Sequence, residues 1–333
     1  MAMATVTLTG IDPPGVLAGA RLWLRGDGVP ALPSPEAVVS VGGTQARVVF
    51  AAPDRVAVEV PATAPGRSAV RAAWSPGATL FVEVGEPLAI GLHHVDSPVF
   101  DRQGRLYSAF SGPRGQDTPV SVYRVGGDGG REAFADGIVN ATSLTIAPEG
   151  ELFVSSRYDG TVYRVREDGH AEVFASELGV ACGLACAPDG ALFVGDRTGT
   201  IHRVSRDGRR TERFATLASS VAAFHLAMGP DAQLYVTAPT LATHDAVHRF
   251  DASGRHEIID HTFGRPQGLA FDAHGVLHVV EALAGVSAIY RMPATSARRA
   301  VVSGPGLVGL TFGPAGEVVA ATADALYRFS AIP

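Results

Sequence analysis

The chain has 333 residues, with 33 acidic side chains against 27 basic ones, a formal net charge of -6 and a pI near 6.0. All of the basic residues are Arg, scattered one or two at a time among Asp and Glu, so there is no basic patch of the kind that binds nucleic acid. With 39 Gly and 22 Pro, no apolar run long enough to span a bilayer and no signal-peptide pattern at its start, the chain reads as soluble, cytoplasmic and all-β.

Residues 1–85 form a first unit. Short alternating stretches at residues 6–15, 18–26, 39–43, 46–50, 55–60 and 68–73 lie between Gly and Pro turns, which predicts a sandwich of about seven strands. The stretch Ile11-Asp-Pro-Pro-Gly-Val-Leu-Ala-Gly19, the pair Gly42-Gly43 and residues 56–61 carry a resemblance to the IPT/TIG immunoglobulin-like domain. That resemblance implies a spacer, a cover or a protein contact. No linker separates this unit from the strand at residues 84–90, so a rigid junction is expected.

From residue 86 onward a turn recurs: Arg102-Gln-Gly104, Pro148-Glu-Gly150, Pro188-Asp-Gly190, Pro230-Asp-Ala232, Ala273-His-Gly275 and Pro314-Ala-Gly316, at spacings of 46, 40, 42, 43 and 41 residues. Each turn joins two short apolar strands. A third strand comes next as Val-Tyr-Arg-Val, Val-Tyr-Arg-Val, Ile-His-Arg-Val, Val-His-Arg-Phe, Ile-Tyr-Arg-Met and Leu-Tyr-Arg-Phe, ending at Val125, Val165, Val204, Phe250, Met292 and Phe329. Four strands per period of about 40 residues is the signature of a propeller blade. Six copies predict a six-bladed β-propeller over residues 86–333. The last copy runs out after three strands, so residues 84–90 are expected to supply its outer strand and close the ring, removing two exposed sheet edges. A closed ring needs no partner copy, and a monomer is expected.

Cys182 and Cys186 are the only cysteines and sit on one predicted strand. At about 3.3 Å per residue they stand about 13 Å apart, too far for a disulfide, and read as buried thiols.

In this architecture the start of strand one and the loop between strands two and three share one face. The rim positions are Asp96, Thr142, Cys182, Phe224, Gln267 and Val308. Neighbours add His93, His94, Asn140, His225 and Arg265, while the loops add Ser156, Arg157, Tyr158, Asp196, Arg197, Thr237 and Glu281. His94, His225 and Glu281 are the candidate catalytic groups, because imidazole and carboxylate side chains can exchange protons near neutral pH. Asp96 and Glu281 are the candidate metal ligands. Asn140, Arg157, Tyr158, Asp196, Arg265 and Gln267 are the candidate substrate contacts. The plain structural alternative stands beside several of these: Asp196 as a turn cap, His225 as a satisfied inner-strand residue, His202 and His248 as replacements for the third-strand Tyr.

The repeats resemble the large group that joins NHL repeats, the gluconolactonase and regucalcin-type calcium-dependent lactonases, and the streptogramin B lyases. Asp96-Ser-Pro-Val-Phe100 resembles the first metal-binding strand of the lactonases, with Asp96 at the position of their Glu; their next three polar positions fall on Thr142, Cys182 and Phe224. Leu277-His-Val-Val-Glu281 resembles the lyase strand that presents a magnesium-binding Glu, while the lyase His falls on Gln267 and a companion Glu on Arg265. The resemblance implies hydrolysis or elimination on a small cyclic ester, assisted by one Mg²⁺ or Ca²⁺ and by no organic cofactor. A non-catalytic propeller that binds a small molecule or a protein on the same face is the other reading, and the sequence leaves both open.

Overall fold

In the computed structural model, residues 7–30, 38–92, 97–330 and 332 are described, and their regular elements are all β-strands. Among the described residues no helix is long and apolar enough to cross a membrane. In the front part, alternation decides which face is buried: in Arg21–Asp27, Leu22 and Leu24 point inward while Arg21, Arg25 and Asp27 face water. Eight strands run from Thr7–Asp12 to Leu80–Val84. Thr44–Ala52 pairs at its start with Val39–Val41 and further along with Arg55–Glu59, so it passes from one half of the sheet to the other. The two halves enclose a common core that includes Leu22, Leu24, Val41, Val56, Val70 and Val82.

Five separate four-stranded antiparallel sheets match the repeat. Three of them occupy Val99–Phe100 to Arg131–Ala135, Ala141–Ile146 to Ala171–Ala175, and Ala181–Cys186 to Thr211–Thr216. The fourth spans His225–Met228 to His256–Phe263, and the fifth contains Leu307–Phe312, Val318–Thr322, Ala325–Phe329 and Glu86–Ile90. The strands Pro266–Phe271, Leu277–Glu281, Ala288–Met292 and Arg299–Ser303 pair in the same order, but they belong to a 12-stranded sheet shared with the front part. The arrangement is a β-propeller with five separate blades and one larger sheet, where the repeat alone predicts equal, separate units. The first strands of successive repeats touch one another in a circuit that returns from Leu307–Phe312 to Val99–Phe100.

The larger sheet arises because a two-residue strand, Gly15–Val16, is wedged between the two parts. It runs parallel to Leu80–Val84 on one side and to Arg299–Ser303 on the other. Its successor Leu17 is buried in the propeller core beside Val302, Leu307 and Phe329. The chain then changes partners at Gly85, whose N–H donates to the Val16 carbonyl at 2.9 Å. Residues 84–90 are thus not one strand: Val84 ends a strand of the front sheet, and Glu86–Ile90 pairs antiparallel with Ala325–Phe329.

Candidate functional site

Three of the loops between the second and third strands share one construction. The residue after strand two donates its N–H to the carbonyl of the residue before strand one: Arg157 to Asn140 at 3.4 Å, Arg197 to Val180 at 3.0 Å and Ala282 to Arg265 at 3.0 Å. The last residue of strand two then braces the same junction with its side chain. Ser156 Oγ donates to the Val139 carbonyl at 2.7 Å and accepts from the Tyr158 N–H at 3.3 Å. Asp196 accepts from the N–H groups of Val180 at 2.8 Å and Thr198 at 3.0 Å, and from the Thr198 hydroxyl. Gly179, with φ +70°, lies against the Asp196 carboxylate, where an added Cβ would come within 2.5 Å of it.

Glu281 occupies the equivalent place in Leu277–Glu281. Its carboxylate is buried and accepts three backbone N–H groups: Gly264 at 2.6 Å, Arg265 at 2.8 Å and Leu283 at 2.9 Å. A carboxylate buried this way remains tolerable because its charge is met by three donors. Asn140 is a brace of another kind. It is fully buried with φ 51°, its Oδ1 accepts from the Gly115 N–H at 2.7 Å, and its Nδ2 donates to the carbonyls of Ser111 at 2.6 Å and Pro113 at 2.9 Å. It therefore fixes the loop between the second and third strands of the first blade.

The rim positions differ more than the repeat suggests. Thr142 Oγ1 donates to the Asn140 carbonyl at 2.8 Å. Phe224 is wholly buried and packs against Gly183 and Gly195, where added Cβ atoms would lie 2.2 Å from its carbonyl oxygen and 2.6 Å from its Cβ. The missing side chain of Gly183 admits the Phe224 backbone, and that of Gly195 admits the base of its side chain. Gln267 offers its backbone carbonyl to the Thr237 hydroxyl of the neighbouring blade. Tyr158 is exposed, and Arg157, Arg265 and Gln267 are half-buried. His94 and Asp96, with His93, lie outside the described residues.

The first strands of all the repeats enclose a channel of about 290 Å³. Val99, Leu144, Leu184, Leu226, Leu269 and Leu310 line it together with His225, Thr145, Thr311 and Cys186, so apolar side chains and polar atoms share the wall. His225 is the single member of the candidate catalytic and substrate-binding set that lines it among the described residues. Burial pushes the Cys186 thiol up to about 11, and the carboxylates of Glu149, Asp189 and Glu151 push the same way. It is therefore a neutral thiol at physiological pH. Neither cysteine is in a disulfide.

A divalent cation does not fit the described part of the rim. The Glu281 oxygens are committed to amides, the positions of Thr142, Cys182 and Phe224 are a tethered hydroxyl, a buried thiol and a core ring, and among the described residues no three His, Cys, Asp or Glu side chains come together as a metal-binding group. The turn-cap reading of Asp196 holds, while the equivalent bracing roles of Ser156 and Glu281 at the end of strand two were not read from the sequence, because the three residues differ in type but not in place.

No family model matches this sequence, and no match is found among curated proteins. Solved structures share its fold. An auxiliary nutrient binding protein from Bacteroides thetaiotaomicron aligns over 98% of both chains with a TM-score of 0.56 and 12% identity. A streptogramin B lyase aligns over 73% of this chain and 95% of its own, with a TM-score of 0.56 and 12% identity. A gluconolactonase-like protein aligns over 74% of this chain and 93% of its own, with a TM-score of 0.60 and 19% identity. At these identities the likeness is one of fold.

Proposed function

We propose that this chain is a small-molecule-binding propeller, with the ligand entering the central channel and braced loops forming a fixed rim. The observation that carries the reading is Glu281. Recruiting its carboxylate as a base or metal ligand would take an acceptor from three backbone amides, at a cost of about 1–3 kcal/mol for each one left buried and unpaired. The channel volume of about 290 Å³ lies just below the roughly 300–1,000 Å³ typical of ligand pockets and suits a compact ligand. Thr145, Thr311 and His225 line the channel and are the side chains this reading assigns to the ligand.

In the same reading, Pro266–Phe271 to Arg299–Ser303 is the fifth of six blades, and the front part is an immunoglobulin-like module that also offers a surface for protein contact. The chain acts as a monomer, without nucleic acid or membrane partners. The nutrient-binding neighbour, which matches over nearly the whole of both chains, supports a binding role. Hydrolysis or elimination on a cyclic ester is the second reading, favoured by the lyase and gluconolactonase-like neighbours.

A thermal-shift screen with lactones, macrocyclic esters, sugars and aromatic acids tests this. The expected result is a hit whose stabilisation disappears in His225→Ala and persists in Glu281→Gln, each judged against its own ligand-free melting point. Turnover of a hit that depends on Glu281 would overturn the binding reading in favour of the enzyme.

A further inference from the structure

The outer hairpin of the fourth blade, Asp245–Phe250 with His256–Phe263, brings two imidazoles together. Phe250 stands opposite His256 and Ile258 opposite His248, which makes the two histidines diagonal neighbours on one face of the hairpin. His248 Nδ1 lies 2.8 Å from His256 Nε2, with ring centroids 4.9 Å apart and planes tilted by 42°. His256 stacks on Phe250 with centroids 5.2 Å apart and planes 25° from parallel, so the exposed ring is held by an apolar base.

The acidic side chains of the hairpin are engaged elsewhere. Asp245 accepts from Thr240, Glu257 pairs with Arg249, Asp251 caps the turn at Ser253, and Asp260 pairs with Arg298. No carboxylate of this set spans the two rings.

We propose that His248 and His256 form a site for a divalent transition metal of the Cu²⁺ class, with water completing the coordination. Metal–imidazole bonds are about 2.0 Å long, so two nitrogens in cis positions of a square or tetragonal centre stand about 2.8–2.9 Å apart, whereas a tetrahedral centre spreads them to about 3.3 Å. The rings now share a hydrogen bond of 2.8 Å, which already brings the two nitrogens as close as a cis pair but points them along the N···N line instead of at a common ion. Binding moves the proton now shared between the rings to the far nitrogen of the ring that donates it. Each imidazole remains neutral with one N–H, and no net proton is released. Both rings must turn for their lone pairs to converge on the ion, and the exposed His256 has the more room to do so.

The test is titration of the full chain with Cu²⁺ at pH 7.5, by calorimetry and electron paramagnetic resonance, in wild type, His256→Ala, His256→Gln and, as a control at an exposed turn histidine, His274→Ala. Gln can keep a hydrogen bond to His248 but cannot replace the second imidazole. Wild type and His274→Ala should show a copper signal with two imidazole nitrogens, and both His256 variants should bind that equivalent at least tenfold more weakly while melting normally without metal. Coincident isotherms for wild type and His256→Gln, or a two-nitrogen signal surviving in both His256 variants, would overturn the site. Zn²⁺ binding as tight as Cu²⁺ would overturn the cis geometry.

Discussion

Glu86 and Arg328 are 242 residues apart in sequence and form an ion pair at 2.6 Å across Glu86–Ile90 and Ala325–Phe329. Their register is that of Arg124 with Glu132, Arg164 with Glu172, Arg203 with Glu212 and Arg249 with Glu257, the pair that joins strands three and four in other blades. A residue from just behind the front domain has taken the place that a local outer strand fills elsewhere. The pattern breaks at Arg291, which stands opposite Arg299, on the strand that pairs with Gly15–Val16.

Charge reversal should expose this pairing. Glu86→Arg alone places like charges opposite each other and should lower the melting temperature, and Glu86→Arg with Arg328→Glu should restore most of the loss. The coupling should be about 0.2–1 kcal/mol, as for partly exposed pairs. Additive effects of the two changes in a double-mutant cycle would contradict the closure.

The front unit and the propeller should unfold together. Leu17→Ala removes a buried side chain from the core that holds Val302, Leu307 and Phe329, at an expected cost of about 2–5 kcal/mol. Calorimetry should show one transition moved as a whole. Two transitions, with only the first displaced, would show that the wedge does not couple the parts. For the same reason a truncation before residue 79 should destabilise the propeller, since it also removes Gly15–Val16.

The six-fold turn and the third-strand motif made the propeller legible, because a repeat imposes the same pleat and the same turn chemistry at each copy. The closing strand was legible from arithmetic, since a final copy with three strands needs a fourth. The wedge was not, because two residues such as Gly15–Val16 carry no periodicity. Glu281 looked chemical in sequence since a charge interrupts an apolar strand, yet its partners are backbone amides from residues 264, 265 and 283, which sequence does not display. The His248 and His256 contact was equally hidden, because His248 reads as a replacement for the third-strand Tyr and the cross-strand register that brings His256 beside it is not displayed by the sequence.

Acid should weaken the fold through His248. Its folded value of about 4 lies below the ordinary 6.5, so the unfolded chain binds the proton more readily. The contribution is complete above pH 6.5 and is lost as pH falls towards 4, with a slope of at most about 1.4 kcal/mol per pH unit for one proton. Partial exposure reduces it further. Urea unfolding at pH 7, 5.5 and 4.5 should give a flatter pH dependence for His248→Gln than for wild type; parallel profiles would remove His248 from the account.

The channel can be watched directly through Cys186. With its thiol pushed up to about 11, alkylation by iodoacetamide should be slow at pH 8 and accelerate steeply towards pH 11. Because Cys186 shares the channel wall with His225, a ligand found by the thermal-shift screen should slow that reaction at pH 9, read by mass spectrometry of the peptide carrying both cysteines. Protection that grows with ligand concentration and is lost in His225→Ala is the result expected. A ligand that stabilises the protein yet leaves the Cys186 rate unchanged would place the binding site elsewhere and contradict the channel reading.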